Sequence, residues 1–182
     1  MKIIIVLMSL FMLVSIITAA CNQEQSISER GKLAYKISGR IVEQLKIKYD
    51  LDFIGVGLSG SGDEKTIKTI MLDFTLNHLV TKEEGRDLIL KCTTDFLHEI
   101  NDSEELRPYL VQFPFTYRNI ELTLLFYSDT RHEDTLDPNI WCISLVDGII
   151  KYKIANIQNP FTNKSVEKES YEDALKIQNH MN

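Results

Sequence analysis

The sequence predicts an α+β domain: an antiparallel sheet of about five strands with helices packed on one face, in the order α-β-β-α-β-β-β-α. Three observations carry this expectation. Two long segments place apolar residues every three or four positions behind capping residues. Several short segments alternate apolar with polar residues, as half-buried strands do. Asp147-Gly148 joins two of them with the chemistry of a two-residue hairpin turn. Strands joined by hairpins, with helices set apart from them, give segregated layers rather than a doubly wound sheet.

The chain begins with a segment that belongs to no fold. Lys2 gives one positive charge, Ile3 to Ile17 is apolar but for two serines, and Thr18-Ala19-Ala20 precedes Cys21. Charge, short apolar core and small residues in that order make an export signal. The run falls short of the roughly 20 apolar residues that span a bilayer. Its end resembles the lipobox of bacterial lipoproteins, with Thr18 where that family usually carries Leu. The resemblance implies that residues 1–20 are removed and that Cys21 becomes the acylated first residue. Residues 21–25 would then be a lipidated tether and 26–182 a single domain. Each buried CH2 of an acyl chain adds about 0.8 kcal/mol of membrane affinity. An ordinary secretory signal, cut near Ala20 and leaving Cys21 a free thiol, is the first alternative, and an uncleaved anchor the second. Asn22 stands where Asp would mark inner-membrane retention, so the resemblance implies an outer-membrane anchor facing the periplasm if the host is Gram-negative.

Ser26 and Glu29 form a capping-box pattern, and Ala34, Ile37, Ile41 and Leu45 continue it as an amphipathic helix to about Lys48. Lys32, Lys36, Arg40 and Lys46 occupy its other face. Phe53 to Leu58 reads as a strand, Gly60-Ser61-Gly62-Asp63 as a turn, and Thr69 to Leu76 as a second strand with Ile70, Leu72, Phe74 and Leu76 on one face. Thr81 and Glu84 open a second helix to about Ile100, with Leu88, Ile89, Cys92, Phe96 and Ile100 inward. Pro108 stops a short turn, and Ile120 to Tyr127 alternates again. The Asp147-Gly148 hairpin pairs Leu145 with Ile150, Ile143 with Tyr152 and Trp141 with Ile154, and puts Cys142 opposite Lys153. Ser170 and Asp173 suggest the cap of a last helix to about Gln178.

The whole chain carries a net charge of −6. Lys2 is the only charge before Cys21, so the remainder stands at −7. An acidic balance argues against a nucleic-acid partner. From Asn22 to Asp50 six Lys and Arg face four Asp and Glu, whereas Leu51 to Asn182 holds 13 against 22. The segment next to the anchor is therefore mildly basic and the body acidic. Each Lys or Arg near anionic lipid is worth about 1 kcal/mol, so Lys32, Lys36, Arg40 and Lys46 are candidates for orienting the domain on headgroups. A plainly solvated helix face is the equal alternative.

Gly55-Val56-Gly57-Leu58-Ser59-Gly60 spells a GxGxxG, which cradles a dinucleotide only where a helix begins at those glycines. The alternation from Ile70 to Leu76 argues for a strand there instead, and no nucleotide cofactor is expected. Asp129, His132, Glu133, Asp134 and Asp137 gather oxygen ligands, but their spacing fits no calcium loop, and a solvated acidic loop is the better reading. His78, His98 and His180 stand apart from one another and read as surface residues. Cys92 and Cys142 fall on opposite sides of the predicted sheet, too far apart for a bridge.

Three later segments, Glu105-Leu106-Arg107-Pro108-Tyr109-Leu110, Phe113-Pro114-Phe115-Thr116 with Asn119-Ile120-Glu121-Leu122, and Glu169-Ser170-Tyr171-Glu172-Asp173-Ala174-Leu175, resemble an uncharacterised family of small exported proteins from chlamydia-related bacteria. That resemblance implies no activity, cofactor or site. The expected function is a non-enzymatic binding or scaffolding module, anchored in the cell envelope through acylated Cys21 and meeting another envelope protein. A secreted effector or inhibitor is the alternative, and a hydrolytic enzyme comes third.

Overall fold

A computed structural model describes residues 28–60, 65–127, 139–155 and 163–181. Cys21, its tether, Ser26, Ser61 to Asp63 and the acidic residues 129–137 lie outside them. The first helix, α1, runs Glu29–Tyr49, and its cap is Ser28, whose hydroxyl accepts from the Gly31 N–H. Strands β1 (Asp52–Gly60) and β2 (Ile67–Leu76) follow, then the two-residue β3 (Val80–Thr81) and helix α2 (Lys82–Asp102). The Thr81–Glu84 capping box is present in both directions. After a single 3-10 turn at Arg107–Tyr109 come β4 (Ile120–Phe126), β5 (Asn139–Ile140), β6 (Cys142–Val146), β7 (Ile149–Ala155), β8 (Asn163–Ser170) and helix α3 (Tyr171–Met181).

The fold is α+β, as the sequence predicts, with a larger sheet than expected. Six strands lie in the order β1-β2-β4-β6-β7-β8, and β3 and β5 make a small second sheet. All neighbours in the large sheet are antiparallel except β2 and β4, which run parallel with α2 as the crossover. Hydrophobic alternation marks which face of a strand is buried and is silent on the direction of its neighbour. The added strand β8 reads Asn-Lys-Ser-Val-Glu-Lys-Glu-Ser, with one apolar residue and hence no period-2 signal.

Register places Ile70, Leu72 and Phe74 of β2 beside Ile120, Leu122 and Leu124 of β4, and these beside Leu145 and Ile143 of β6. With Ile150 and Tyr152 of β7 they form one continuous apolar face. Ala34, Ile37, Ile41 and Leu45 from α1 and Ile89, Cys92, Phe96 and Ile100 from α2 close over it. The opposite face is mixed: Asp73, Thr123, Ser144, Lys151 and Lys168 lie in one row across five strands.

The hairpin has the expected register at Leu145–Ile150, Ile143–Tyr152 and Cys142–Lys153. Trp141 departs from it. The chain leaves the small sheet at Ile140 and enters the large one at Cys142, so Trp141 lies between them, its N–H donating to the Lys153 carbonyl (3.0 Å). At the turn, Asp147 (φ 50°) and Gly148 (φ 74°) are both left-handed. A Cβ on Gly148 would stand 2.8 Å from Cε2 of Tyr117, which itself stacks on Tyr171 at 4.5 Å. Gly148→Ala should therefore cost about 1–2 kcal/mol from backbone strain, with a further loss from displacing Tyr117, read as a lowered urea midpoint.

Candidate functional site

The four basic residues of α1 were expected to form a cationic stripe. Three of them carry carboxylate partners: Lys32 with Glu29 (3.1 Å), Lys36 with Glu105 (3.6 Å) and Lys46 with Glu43 (3.4 Å). Arg40 is exposed and makes no ion pair among the described residues. Glu29 and Glu43 share the helix and fall three residues from their lysines, which is neighbour spacing on a helix. Glu105 arrives from the segment after α2, which no pattern in the sequence links to α1. The outer face of α1 is thus a mosaic of charges. Exposed pairs of this kind contribute about 0–1 kcal/mol each, so the lysines can exchange partners at little cost.

Two shallow hollows flank the α1–α2 contact. One, of about 280 Å³, is lined by Lys36 and Arg40 from α1 and by Asp102, Ser103, Glu104 and Glu105. The other, of about 360 Å³, lies between Gln44, Ile47 and Lys48 of α1 and Asp95, His98 and Glu99 of α2. There Asp95 accepts from both Lys48 (2.7 Å) and the Tyr49 hydroxyl (2.8 Å). Partial burial, then the Asp95 carboxylate, push the Tyr49 phenol up to about 12. His98 sits 3.2 Å from Asp102, both well exposed. His78 and His180 are exposed elsewhere.

The GxGxxG glycines lie within β1, antiparallel to β2, and no helix starts there. What approaches Gly57 is a side chain: a Cβ there would meet Met71 Cε at 2.7 Å. Cys92 faces the helix side of the sheet and Cys142 the other, and both are buried free thiols. Burial raises both thiols, Cys142 to about 11, so neither offers a thiolate at neutral pH. Among the described residues no three His, Cys, Asp or Glu side chains converge as a metal site requires.

One cluster went unnoticed in the sequence. Arg86 of α2, only 6% exposed at its side chain, donates through Nε to Glu169 Oε1 (2.8 Å) and through Nη2 to Oε2 (3.4 Å). The Tyr152 hydroxyl donates to the same Oε1, and burial, then Glu169, raise its phenol far above the ordinary value. Lys82 lies over the Tyr152 ring and pairs with Glu167 at 2.6 Å. The signal was available in part. Arg86, Ile89, Thr93, Phe96 and Ile100 follow the 3-4-3-4 spacing of an inward stripe, which marks Arg86 as buried and in need of a partner. That partner lies on β8, which no pattern marked. The cluster ties α2 to β7 and β8.

No protein-family model, curated protein or solved structure matches this chain. Function therefore rests on its own residues.

Proposed function

We propose that the chain is a lipid-anchored protein of the cell envelope, and that it works by binding another envelope macromolecule rather than by catalysis. The observation that carries the reading is the order of charge, short apolar run, small residues and cysteine from Lys2 to Cys21. Seven steps of chain separate Cys21 from the helix cap at Ser28, at most about 25 Å when extended, so α1 is held near any bilayer that holds the cysteine. No helix of the described residues is long and apolar enough to cross a membrane, so in this reading attachment is by acyl chains. The α1 face supports a role at that surface. Its lysines sit in weak, exposed pairs that headgroup phosphates can replace, and Arg40 has no carboxylate to give up among the described residues.

The reading is tested by labelling cells with a clickable palmitate analogue and fractionating wild type beside Cys21→Ser. Label that follows the membrane in wild type and disappears in the variant is expected. Unlabelled, soluble wild-type protein would overturn the anchor and favour the secreted effector.

A further inference from the structure

Helices α1, α2 and α3 lie together on one face of the six-stranded sheet: Lys48 of α1 bonds Asp95 of α2, and Gln178 of α3 bonds Asp87 of α2. Among the described residues the core lies on that side, and no element packs on the other. On this open face Ile149 and Val166 are 37% and 42% exposed. Its charges are segregated. Asp52, Asp73 and Glu121 stand on β1, β2 and β4, whereas Lys151, Lys153 and Lys168 stand on β7 and β8. None of the ion pairs among the described residues includes any of these six side chains. Asp73 and Lys151 share a row but lie three strand spacings apart, about 14 Å, too far to meet within one copy. Lys151 and Lys168 stand directly opposite each other, which costs stability unless an anion compensates it.

We propose that this open face packs on the open face of a second copy, about a twofold axis running along the strands between β4 and β6. That axis lays β2 of one copy over β7 of the other, and β1 over β8. Strand β7 runs parallel to β2, because two antiparallel steps separate it from β4. Met71, Asp73 and Thr75 therefore stack over Ile149, Lys151 and Lys153, residue for residue, and do so twice in the pair. Facing sheets lie about 10 Å apart, a gap that an aspartate and an extended lysine bridge together. Asp52 lands over Val166, between Lys153 and Lys168. Glu121 falls over β6, which carries no charge. No like charges are superposed. A twofold across the strands would instead lay β2 on β2 and β7 on β7, acid on acid and lysine on lysine. The face measures about 24 Å by 23 Å, so stacking two buries on the order of 1,100 Å² in all, above the roughly 1,000 Å² of a specific interface. The axis also leaves both α1 starts at one end of the pair, where Arg30 bonds the Thr66 carbonyl at 2.7 Å, so two anchors would reach one bilayer. The pairing itself does not depend on Cys21 being acylated.

The test uses full-length chains in intact cells, with two differently tagged copies expressed together and treated with a short-arm bismaleimide. One copy carries Met71→Cys and the other Ile149→Cys, which leaves every charge of the face in place. A covalent pair bearing both tags is expected. Ile47→Cys, on the exposed side of α1, should give none when it replaces Ile149→Cys. Adding Lys151→Glu to both copies should lower the yield of the mixed pair several-fold, and adding Asp73→Lys to those copies should restore it. Within its own sheet Lys151→Glu sets opposite charges side by side with Lys168, so a lost yield does not report a lost fold. A mixed-pair yield no greater than that with Ile47→Cys would overturn the proposal, as would a yield indifferent to Lys151→Glu or one that Asp73→Lys fails to restore. An adduct to a protein of another mass in place of the mixed pair would give the face to a different partner and equally overturn self-packing.

Discussion

Arg86→Met should destabilise the domain by about 3–5 kcal/mol, because it leaves the Glu169 carboxylate buried and without its cation. The side chains are close enough in volume that packing loss is minor, so the effect reports charge. Glu169 would keep the Tyr152 hydroxyl as a donor, but one neutral hydrogen bond does not replace a forked guanidinium. Removing both charges is the informative comparison. Arg86→Met with Glu169→Gln keeps an acceptor for Tyr152 and leaves no buried ion, so most of the stability should return. Urea unfolding of the two single variants and the pair measures the coupling. Equal losses in the single and double variants would show that Arg86 acts through its hydrocarbon stem instead.

Phe74→Ala should cost a similar amount, about 3–5 kcal/mol, for an unrelated reason. Phe74 is fully buried in the last part of β2, with Leu124 of β4 on one side and Phe53 of β1 on the other. Its ring meets that of Phe53 edge to face at 5.9 Å. Deletion removes buried surface and leaves a cavity between strands that cannot close, since both are held by ladder hydrogen bonds. Phe53 is 40% exposed, and Phe53→Ala should cost much less. Thermal unfolding of both variants would separate the two positions. A Phe53→Ala loss equal to that of Phe74→Ala would mean that the β1 edge is buried in the protein as it exists in solution.

The parts of this fold that were legible in the sequence are those where one residue type decides a local geometry. Thr81 and Glu84 fix the start of α2, and Asp147-Gly148 fixes the hairpin register to the residue. The inward faces of α1, α2 and β2 followed from spacing alone. At the start of α1 the capping oxygen is two residues later than the sequence suggested, because Ser26 and Ser28 offer the same hydroxyl and the backbone decides between them. Misjudged features depend on what sits beside an element. Strand β8 is held by backbone hydrogen bonds and by Glu169, neither of which leaves an apolar pattern. Lys32, Lys36 and Arg40 lie on the solvent side of α1, as their spacing predicts, and Lys46 is half-buried. That Lys36 meets Glu105 depends on where the segment after α2 lands, which spacing within α1 cannot report.

The parallel neighbours β2 and β4 make one seam of the sheet its most distant contact along the chain, Ile70 lying against Ile120. The pairings on either side are local: β1 returns directly on β2, and β6, β7 and β8 follow one another as a meander. Hairpins form in about 1–10 μs. Joining segments some fifty positions apart must first overcome the loss of chain entropy on closing the intervening loop. Two blocks, Asp52 to Leu76 and Ile120 to Ser170, can therefore gain their internal order while α2 is still finding its place between them. The slow event in reaching the native state is then the meeting of these blocks along the β2–β4 seam, and substitutions on that seam, more than those at the hairpins, should set the time the chain takes to fold.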